Sequence, residues 1–178
     1  MKPEYFAENQ KGPKSKHDDM SPKESSKIIA DHVHEAIELA TKYRLPPLII
    51  SGIPEHHGTG LIKYFYHKAK EQGLEPNKED YQYGGPKPQR KETVALMVAD
   101  AVEATTRSLK DPEPQELADV VHKVIQTRLY ENQFDEADVT LKDLKEMEIG
   151  FLQALEGMFH TRIAYPKNIW LEKPKGAS

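Results

Sequence analysis

Apolar side chains recur along much of this sequence at intervals of three and four residues, the spacing typical of amphipathic α-helices. Ser21 followed by Pro22 gives an N-cap with proline at the first helical position, a common start for a helix. The run Leu45-Pro46-Pro47 ends the pattern, because proline lacks a backbone N–H and restricts the residue before it. A first long helix is therefore predicted from about residue 22 to 43, with a stripe made of Ile29, His32, Val33, Ala36, Ile37 and Ala40.

Further helices are predicted downstream by the same spacing. A short apolar element, Leu48–Ile53, is followed by Thr59, which is predicted to cap a helix that ends at Gly73. The Pro- and Gly-rich stretch 74–90 is predicted to be a loop, and its length makes a functional loop a reasonable hypothesis. No alternating apolar-polar run of strand length stands out, so the predicted fold class is all-α, with three later helices at about 91–109, 114–130 and 141–162.

The composition favours one polar globular domain and excludes several kinds of site. A length of 178 residues is enough for one sizeable core, and the 25 basic and 29 acidic residues are well mixed. No basic footprint for a nucleic-acid polymer is visible, and the absence of cysteine excludes disulfides and thiolate zinc sites. The longest apolar stretch, Leu45–Ile53, is too short to span a bilayer, and the N-terminus lacks the apolar core of a signal peptide. A cytoplasmic location is therefore expected.

Eight histidines suggest where chemistry lies, because a transition-metal site without cysteine must use imidazole and carboxylate. His32 falls in the apolar stripe of the first helix, and Asp100 falls within the apolar segment VALMVADAVEA. Each has an ordinary alternative: a hydrogen-bonded core histidine, or a partly exposed carboxylate.

His56 and His57 are adjacent and come just before Gly58, which frees the chain to turn. The ordinary alternative is a pair of exposed histidines in a turn. Neighbouring side chains diverge by about 100° in a helix, so a single ion is hard for both to reach. A two-metal site, with ions roughly 3.5–4 Å apart, could use each histidine on a different ion.

Several segments together resemble one family, over roughly residues 2–165. They are YFAENQ, HDDMSP, HHGTGLIKYFYHKAKE, YGGPKPQRKET and ADAVEATTRSL, and they are similar to the cytoplasmic HD domain of the seven-transmembrane HD receptor family. The resemblance implies an HD-domain-like helical bundle. It also implies hydrolysis of cyclic di-AMP to a linear dinucleotide at a site with two divalent transition metals, typically iron or manganese.

The resemblance assigns metal ligation to His32, His56, His57 and Asp100. In the family these ligands follow an earlier histidine and a His-Asp pair, which match nothing in this chain. The dipeptide His17-Asp18 matches a later loop of the family and is interpreted as a helix-entry turn, with Asp near a positive helix end.

The expected domain is therefore N-terminally incomplete: residues 1–165 form a partial HD domain lacking its first helices and its HD motif, and residues 166–178 form a flexible tail. Its expected partners are a cyclic dinucleotide and the missing N-terminal half of the domain with its upstream membrane region, which would place it on the cytoplasmic side of the membrane. Alone, the chain is expected to bind one metal weakly or none, and to be inactive.

Substrate phosphates need cationic partners beyond the metals. The candidates are Lys63, Arg90, Lys91 and Arg107, each of which can equally be an ordinary solvated cation. Tyrosines at 64, 66, 81 and 83 are candidates for stacking on adenine. Two other functions remain open: a non-catalytic nucleotide-binding or signalling module, and another HD-superfamily nucleotide phosphohydrolase.

Overall fold

Six α-helices make up most of the described part of the chain, which comprises Tyr5 and residues 15–160 of this computed structural model. Residues 15–160 contain no strand beyond an isolated antiparallel bridge, so the all-α prediction is confirmed for them. The predicted tail at 166–178 lies outside the described residues. The helices are α1 Pro22–Lys42, α2 Pro47–Glu55, α3 Lys63–Glu71, α4 Lys91–Thr106, α5 Pro114–Tyr130 and α6 Leu141–His160.

The helix starts that sequence signals predicted are confirmed where the signal is local. Ser21 caps α1 through a capping box: its Oγ accepts from the Glu24 N–H, and the Glu24 carboxylate accepts from the Ser21 N–H. The proline run after α1 separates it from α2, which also begins at a proline. Gly73 follows the end of α3 with a φ of 75°, as expected for a C-terminal glycine.

The predicted cap of α3 is wrong. The helix begins at Lys63 rather than after Thr59, because Thr59 lies in a turn and irregular chain separates it from the helix. There the Ile62 N–H donates to the Tyr81 carbonyl at 2.7 Å, and Leu61 forms the isolated bridge with Gln82. The loop 82–90 thus runs beside the segment that follows the two histidines.

Two apolar clusters hold the helices together, and α2 contacts α1 on one side and α4 on the other. The smaller cluster joins α1, α3 and a short 3-10 turn at Lys78–Tyr81 through Phe65, Ala69 and Tyr81. The larger joins α4, α5 and α6 through Val94, Met97, Val98, Val102, Leu117, Val121, Ile125, Phe134, Leu144 and Leu155. The C-terminal end of α2 therefore lies where elements from both clusters meet.

Apolar side chains of α4 face the core, and Asp100 does not lie among them. Val98 and Val102 are buried beside Val94 and Met97, whereas the side chain of Asp100 is 45% exposed. Asp100 thus lies at the edge of the apolar face, where a carboxylate keeps contact with water. Within residues 15–160, no helix is long and apolar enough to cross a membrane.

Candidate metal centre

Three imidazoles converge at the junction of α1 and α2. His32 comes from α1, while His56 and His57 come from the C-terminal end of α2 and the turn after it. One nitrogen of each ring lies within 4.8 Å of the others, and all three side chains are half-buried. Nε2 of His32 and Nε2 of His57 are 3.2 Å apart. This cluster has the spacing and the donor atoms to hold a metal ion.

Backbone carbonyls orient two of the rings. Nδ1 of His32 lies against the carbonyl of Ile29, and Nδ1 of His56 lies against the carbonyl of Ile53. A carbonyl only accepts hydrogen bonds, so each Nδ1 must carry the proton and each Nε2 keeps a lone pair. Metal-binding histidines are commonly fixed in this way through their second ring nitrogen. The residues present therefore fit a metal ion.

The adjacent histidines do not diverge as two residues inside a helix would. The rings of His56 and His57 are 3.8 Å apart between centroids and inclined by 38°. His56 is the C-cap of α2, and two residues later the chain turns at Gly58, whose φ is +53°. The predicted divergence is therefore wrong, because the helix ends between these positions. Both imidazoles face the same small region beside His32.

The fourth predicted ligand, Asp100, stands next to this group. Its Oδ2 is 3.7 Å from Nδ1 of His57, and it reaches the histidines from α4. The side chain is partly exposed, yet the pKa of Asp100 is raised overall. Burial among neighbouring groups is the largest cause, and the nearby His56 and Arg128 offset it only in part. Its role as a metal ligand stays a prediction.

The surroundings favour the neutral form of His56 and His57. Burial, followed by the neighbouring His56, His32 and Arg128, lowers the pKa of His57 to about 2. Burial is also the largest cause that lowers the pKa of His56. A neutral imidazole offers a lone pair to a metal, whereas an imidazolium does not.

A buried glutamine fixes the loop after the histidines. Oε1 of Gln133 accepts from the Thr59 N–H at 3.0 Å, and Nε2 of Gln133 donates to the Thr59 hydroxyl at 3.0 Å. A Cβ on Gly58 would lie 2.4 Å from Oε1 of Gln133 and 2.9 Å from the terminal methyl of Met97. Only glycine fits there, as its place before the turn suggested. Gln133 itself carried no local signal.

Tyr83 covers one face of the site. Its ring stacks on His57, with centroids 4.1 Å apart and an interplanar angle of 18°. The Tyr83 N–H donates to the Gly60 carbonyl at 3.0 Å, so the loop 82–90 places this ring. Burial raises the pKa of Tyr83. The sequence suggested this tyrosine for stacking on adenine; the structure places it against a histidine.

A buried carboxylate beside the site also lacked a sequence signal. Glu55 precedes the two histidines and is only 3% exposed. It accepts from the Thr93 hydroxyl at 2.6 Å and from the Gln89 N–H at 2.9 Å. These bonds hold the end of α2 against the beginning of α4, which also carries Asp100.

The predicted substrate-binding cations are spread over several elements. Arg90 donates to Ser51 at 3.0 Å, Lys91 pairs with Asp143, and Arg107 pairs with Glu103 one helical turn earlier. Lys63 pairs with Glu131 at 2.7 Å. Their binding of substrate stays a prediction.

His17 and Asp18 occupy a short 3-10 helix at the entry to α1, as interpreted from the sequence. The His17 ring is buried between Tyr5 and Phe65, and its Nε2 is 2.9 Å from the Tyr5 carbonyl. Asp18 completes a capping box with Ser15. Both residues therefore have a structural role here.

Comparisons with known proteins agree with this fold. No family model matches the sequence. The chain is 40% identical over 166 residues to the cyclic-di-AMP phosphodiesterase PgpH of Bacillus subtilis (strain 168), and 37% identical over 166 residues to that of Listeria monocytogenes serotype 1/2a (strain 10403S). Each match covers 93% of this chain, which spans only 23% of the length of these curated relatives.

The crystal structure of the L. monocytogenes phosphodiesterase PgpH HD domain superposes with a TM-score of 0.84 and 36% identity. The match covers 89% of this chain and 74% of the crystallised one. The same domain in complex with cyclic-di-AMP also superposes with a TM-score of 0.84. This chain therefore belongs to the HD-domain family of the PgpH phosphodiesterases.

Proposed function

We propose that this chain is part of a metal-dependent phosphodiesterase domain that hydrolyses cyclic di-AMP to a linear dinucleotide. In this proposal, His32, His56, His57 and Asp100 are ligands of a centre for two divalent metals, iron or manganese. The observation that carries it is the convergence of three imidazoles, two of them oriented through Nδ1 by backbone carbonyls. The choice of cyclic di-AMP as substrate is supported by the similarity of the chain to cyclic-di-AMP phosphodiesterases.

Divalent metals at such a centre lower the pKa of water and neutralise charge on a phosphodiester. The residues of this chain hold and orient the donor atoms for them. The carbonyls of Ile29 and Ile53 fix two ring orientations, and Gln133 fixes the loop that carries the third ring.

The remaining ligands are proposed to come from another part of the full protein, on the cytoplasmic side of a membrane. Four side chains are too few to fill two metal ions, which prefer four to six ligands each. A group of exposed apolar side chains supports this, because exposed apolar side chains at a helix connection are suited to contacts with other segments. It lies at the end of α1 and the start of α2 and comprises Leu39, Tyr43, Leu45, Leu48 and Ile49.

A calorimetric titration tests the proposal. The chain is titrated with Mn²⁺, and the Mn²⁺-loaded chain is then titrated with cyclic di-AMP and assayed for turnover. We expect weak, mononuclear Mn²⁺ binding, metal-dependent binding of cyclic di-AMP, and little or no turnover, because ligands for a second ion are lacking.

His32→Ala should abolish Mn²⁺ binding, since it removes one of the converging nitrogens. The matched control is His34→Ala, which removes an exposed imidazole of the same helix that pairs with Glu38. Equal Mn²⁺ affinity in the two variants would contradict the ligand assignment. If the Mn²⁺-loaded chain does not bind cyclic di-AMP, the proposed substrate is wrong. Multiple turnover would contradict the proposal that ligands from another part of the full protein are needed.

A further inference from the structure

An arginine that sequence patterns did not single out lies beside the histidine cluster. Arg128 is on the last turns of α5, and its side chain is 20% exposed. A Cβ placed on Gly60 would lie 3.4 Å from its Nη1. The Gly60 N–H donates to the His57 carbonyl at 3.0 Å, and the Gly60 carbonyl accepts from the Tyr83 N–H at 3.0 Å. Arg128 thus packs against Gly60, whose backbone is hydrogen-bonded to both His57 and Tyr83.

Glu131 holds this guanidinium in place. Oε2 of Glu131 accepts from Nη1 of Arg128 at 3.0 Å, while Oε1 of Glu131 is 2.7 Å from the ammonium of Lys63. One carboxylate therefore lies between two cations, and the group of three carries a net positive charge. A positive group beside a cation-binding cluster is unfavourable unless an anion binds there as well.

Most of the donors of Arg128 are not used within the protein. A guanidinium has five N–H donors in a planar fork. Among the residues at 15–160, the bond to Glu131 is the one hydrogen bond that the Arg128 guanidinium makes. A half-buried arginine that is held from one side and keeps its other donors available is well suited to bind a phosphate through two oxygens.

Space for a ligand lies next to this group. A cavity of about 220 Å³ is lined by Gly60 and Glu131, both of which contact Arg128. Lys78 and Lys87 also line it, as do the polar side chains of Gln82 and Gln133. The positive charge of these lysines fits an anionic ligand better than a neutral one.

We propose that the Arg128 guanidinium, held by Glu131, binds a phosphate oxygen of the cyclic dinucleotide next to the metal ligands. This rests on the proposed function and adds a phosphate-binding residue to it. Because the contact is a charge-assisted hydrogen bond, its loss should weaken binding by about tenfold or more.

The test uses the full Mn²⁺-loaded chain and two probes, cyclic di-AMP and inorganic phosphate. Affinities are measured for wild type, Arg128→Ala, Arg128→Lys and Lys145→Ala, and NMR follows the side-chain Nε–Hε signal of Arg128 in wild type. Lys145→Ala is the matched control, because it also breaks an ion pair with a glutamate three residues later. Arg128→Lys keeps the charge and the aliphatic stem, so it reports on the contact even if the alanine variant unfolds.

We expect Arg128→Ala to weaken the binding of both probes. The affinity of Arg128→Lys should lie between those of Arg128→Ala and wild type, and that of Lys145→Ala should match wild type. Mn²⁺ affinity should not fall in any variant, because removing a nearby positive charge does not disfavour a cation, and phosphate should shift the Arg128 signal, which a purely structural ion pair would not do. Unchanged affinities in both Arg128 variants, or an unmoved signal, would overturn the inference. Binding of phosphate through Arg128 without binding of cyclic di-AMP would overturn only the proposed function, and binding of neither probe would overturn both.

Discussion

Single residues decide whether the two adjacent imidazoles point the same way. Gly58 adopts a left-handed conformation that other residues rarely take, and it packs directly against Gln133. The need for a glycine before a turn is visible in sequence, because it is local. The partner Gln133 is not, since nothing near it in the chain indicates contact with Thr59. The same holds for Glu55 and Arg128, whose roles arise from contacts between distant segments.

Gly58→Ala should therefore damage the site more than an ordinary glycine substitution. The new Cβ meets both an unfavourable φ and a 2.4 Å contact with Gln133, so we expect a loss of at least about 1–3 kcal/mol of stability and a clear fall in Mn²⁺ affinity. Chemical denaturation and calorimetry measure the two effects.

Gly73→Ala is the matched control. Gly73 also has positive φ, at 75°, but its Cβ would meet nothing within 4 Å. Gly73→Ala should lower the free energy of unfolding by about 1 kcal/mol or more through backbone strain alone. Its Mn²⁺ affinity should be unchanged. If both variants bind Mn²⁺ equally well, the close packing at Gly58 is not needed for the site.

At the scale of elements, caps and prolines determine most of the helix boundaries. The start of α1 after Ser21 and the span of α5 follow the sequence signals, because the stabilising groups are within a few residues. The start of α3 does not, since the bonds that hold residues 59–62 in a non-helical conformation come from residues 81 and 133. Of the stripe predicted for α1, only Ala40 is fully buried, so helical periodicity alone overestimated burial.

The cap of α6 gives a quantitative test at this scale. The Thr140 hydroxyl accepts from the Asp143 N–H, and the Asp143 carboxylate accepts from the Thr140 N–H and pairs with Lys91 of α4. Thr140→Ala should lower the free energy of unfolding by about 1 kcal/mol, as measured by urea denaturation.

Thr105→Ala serves as the comparison, because the Thr105 hydroxyl is exposed and donates within α4 to the Ala101 carbonyl. That change should be close to neutral, since alanine has the higher helix propensity. An equal loss in the two variants would show that the cap of α6 contributes nothing beyond an ordinary threonine.

At the scale of the whole molecule, the candidate ligands link separate parts of the fold. His32 lies on α1, His56 and His57 follow α2, and Asp100 lies on α4 of the larger apolar cluster. The sequence identified these four residues through a resemblance, and periodicity predicted the helices that carry them. Their convergence depends on how the helices pack, which local patterns do not specify.

Metal binding should therefore stabilise the whole chain. An ion that binds only the folded state adds about 2.7 kcal/mol to the free energy of unfolding when its concentration is a hundred times its Kd. The Tm should therefore rise with Mn²⁺ concentration and fall again when a chelator is added. His32→Ala should abolish this rise. His122→Ala, which removes an exposed histidine paired with Glu148, should keep it. A rise that persists in His32→Ala would place the bound ion elsewhere.

The contact between Thr59 and Gln133 joins positions 74 residues apart, and this has a consequence for biosynthesis. A ribosome makes the chain from its N-terminus, so His32, His56 and His57 are all exposed to the cell well before Gln133 exists. A nascent chain stalled before the α5–α6 connection would carry every imidazole of the cluster but not the amide that aligns their loop. The amide that aligns this loop is therefore added only when synthesis has passed Gln133.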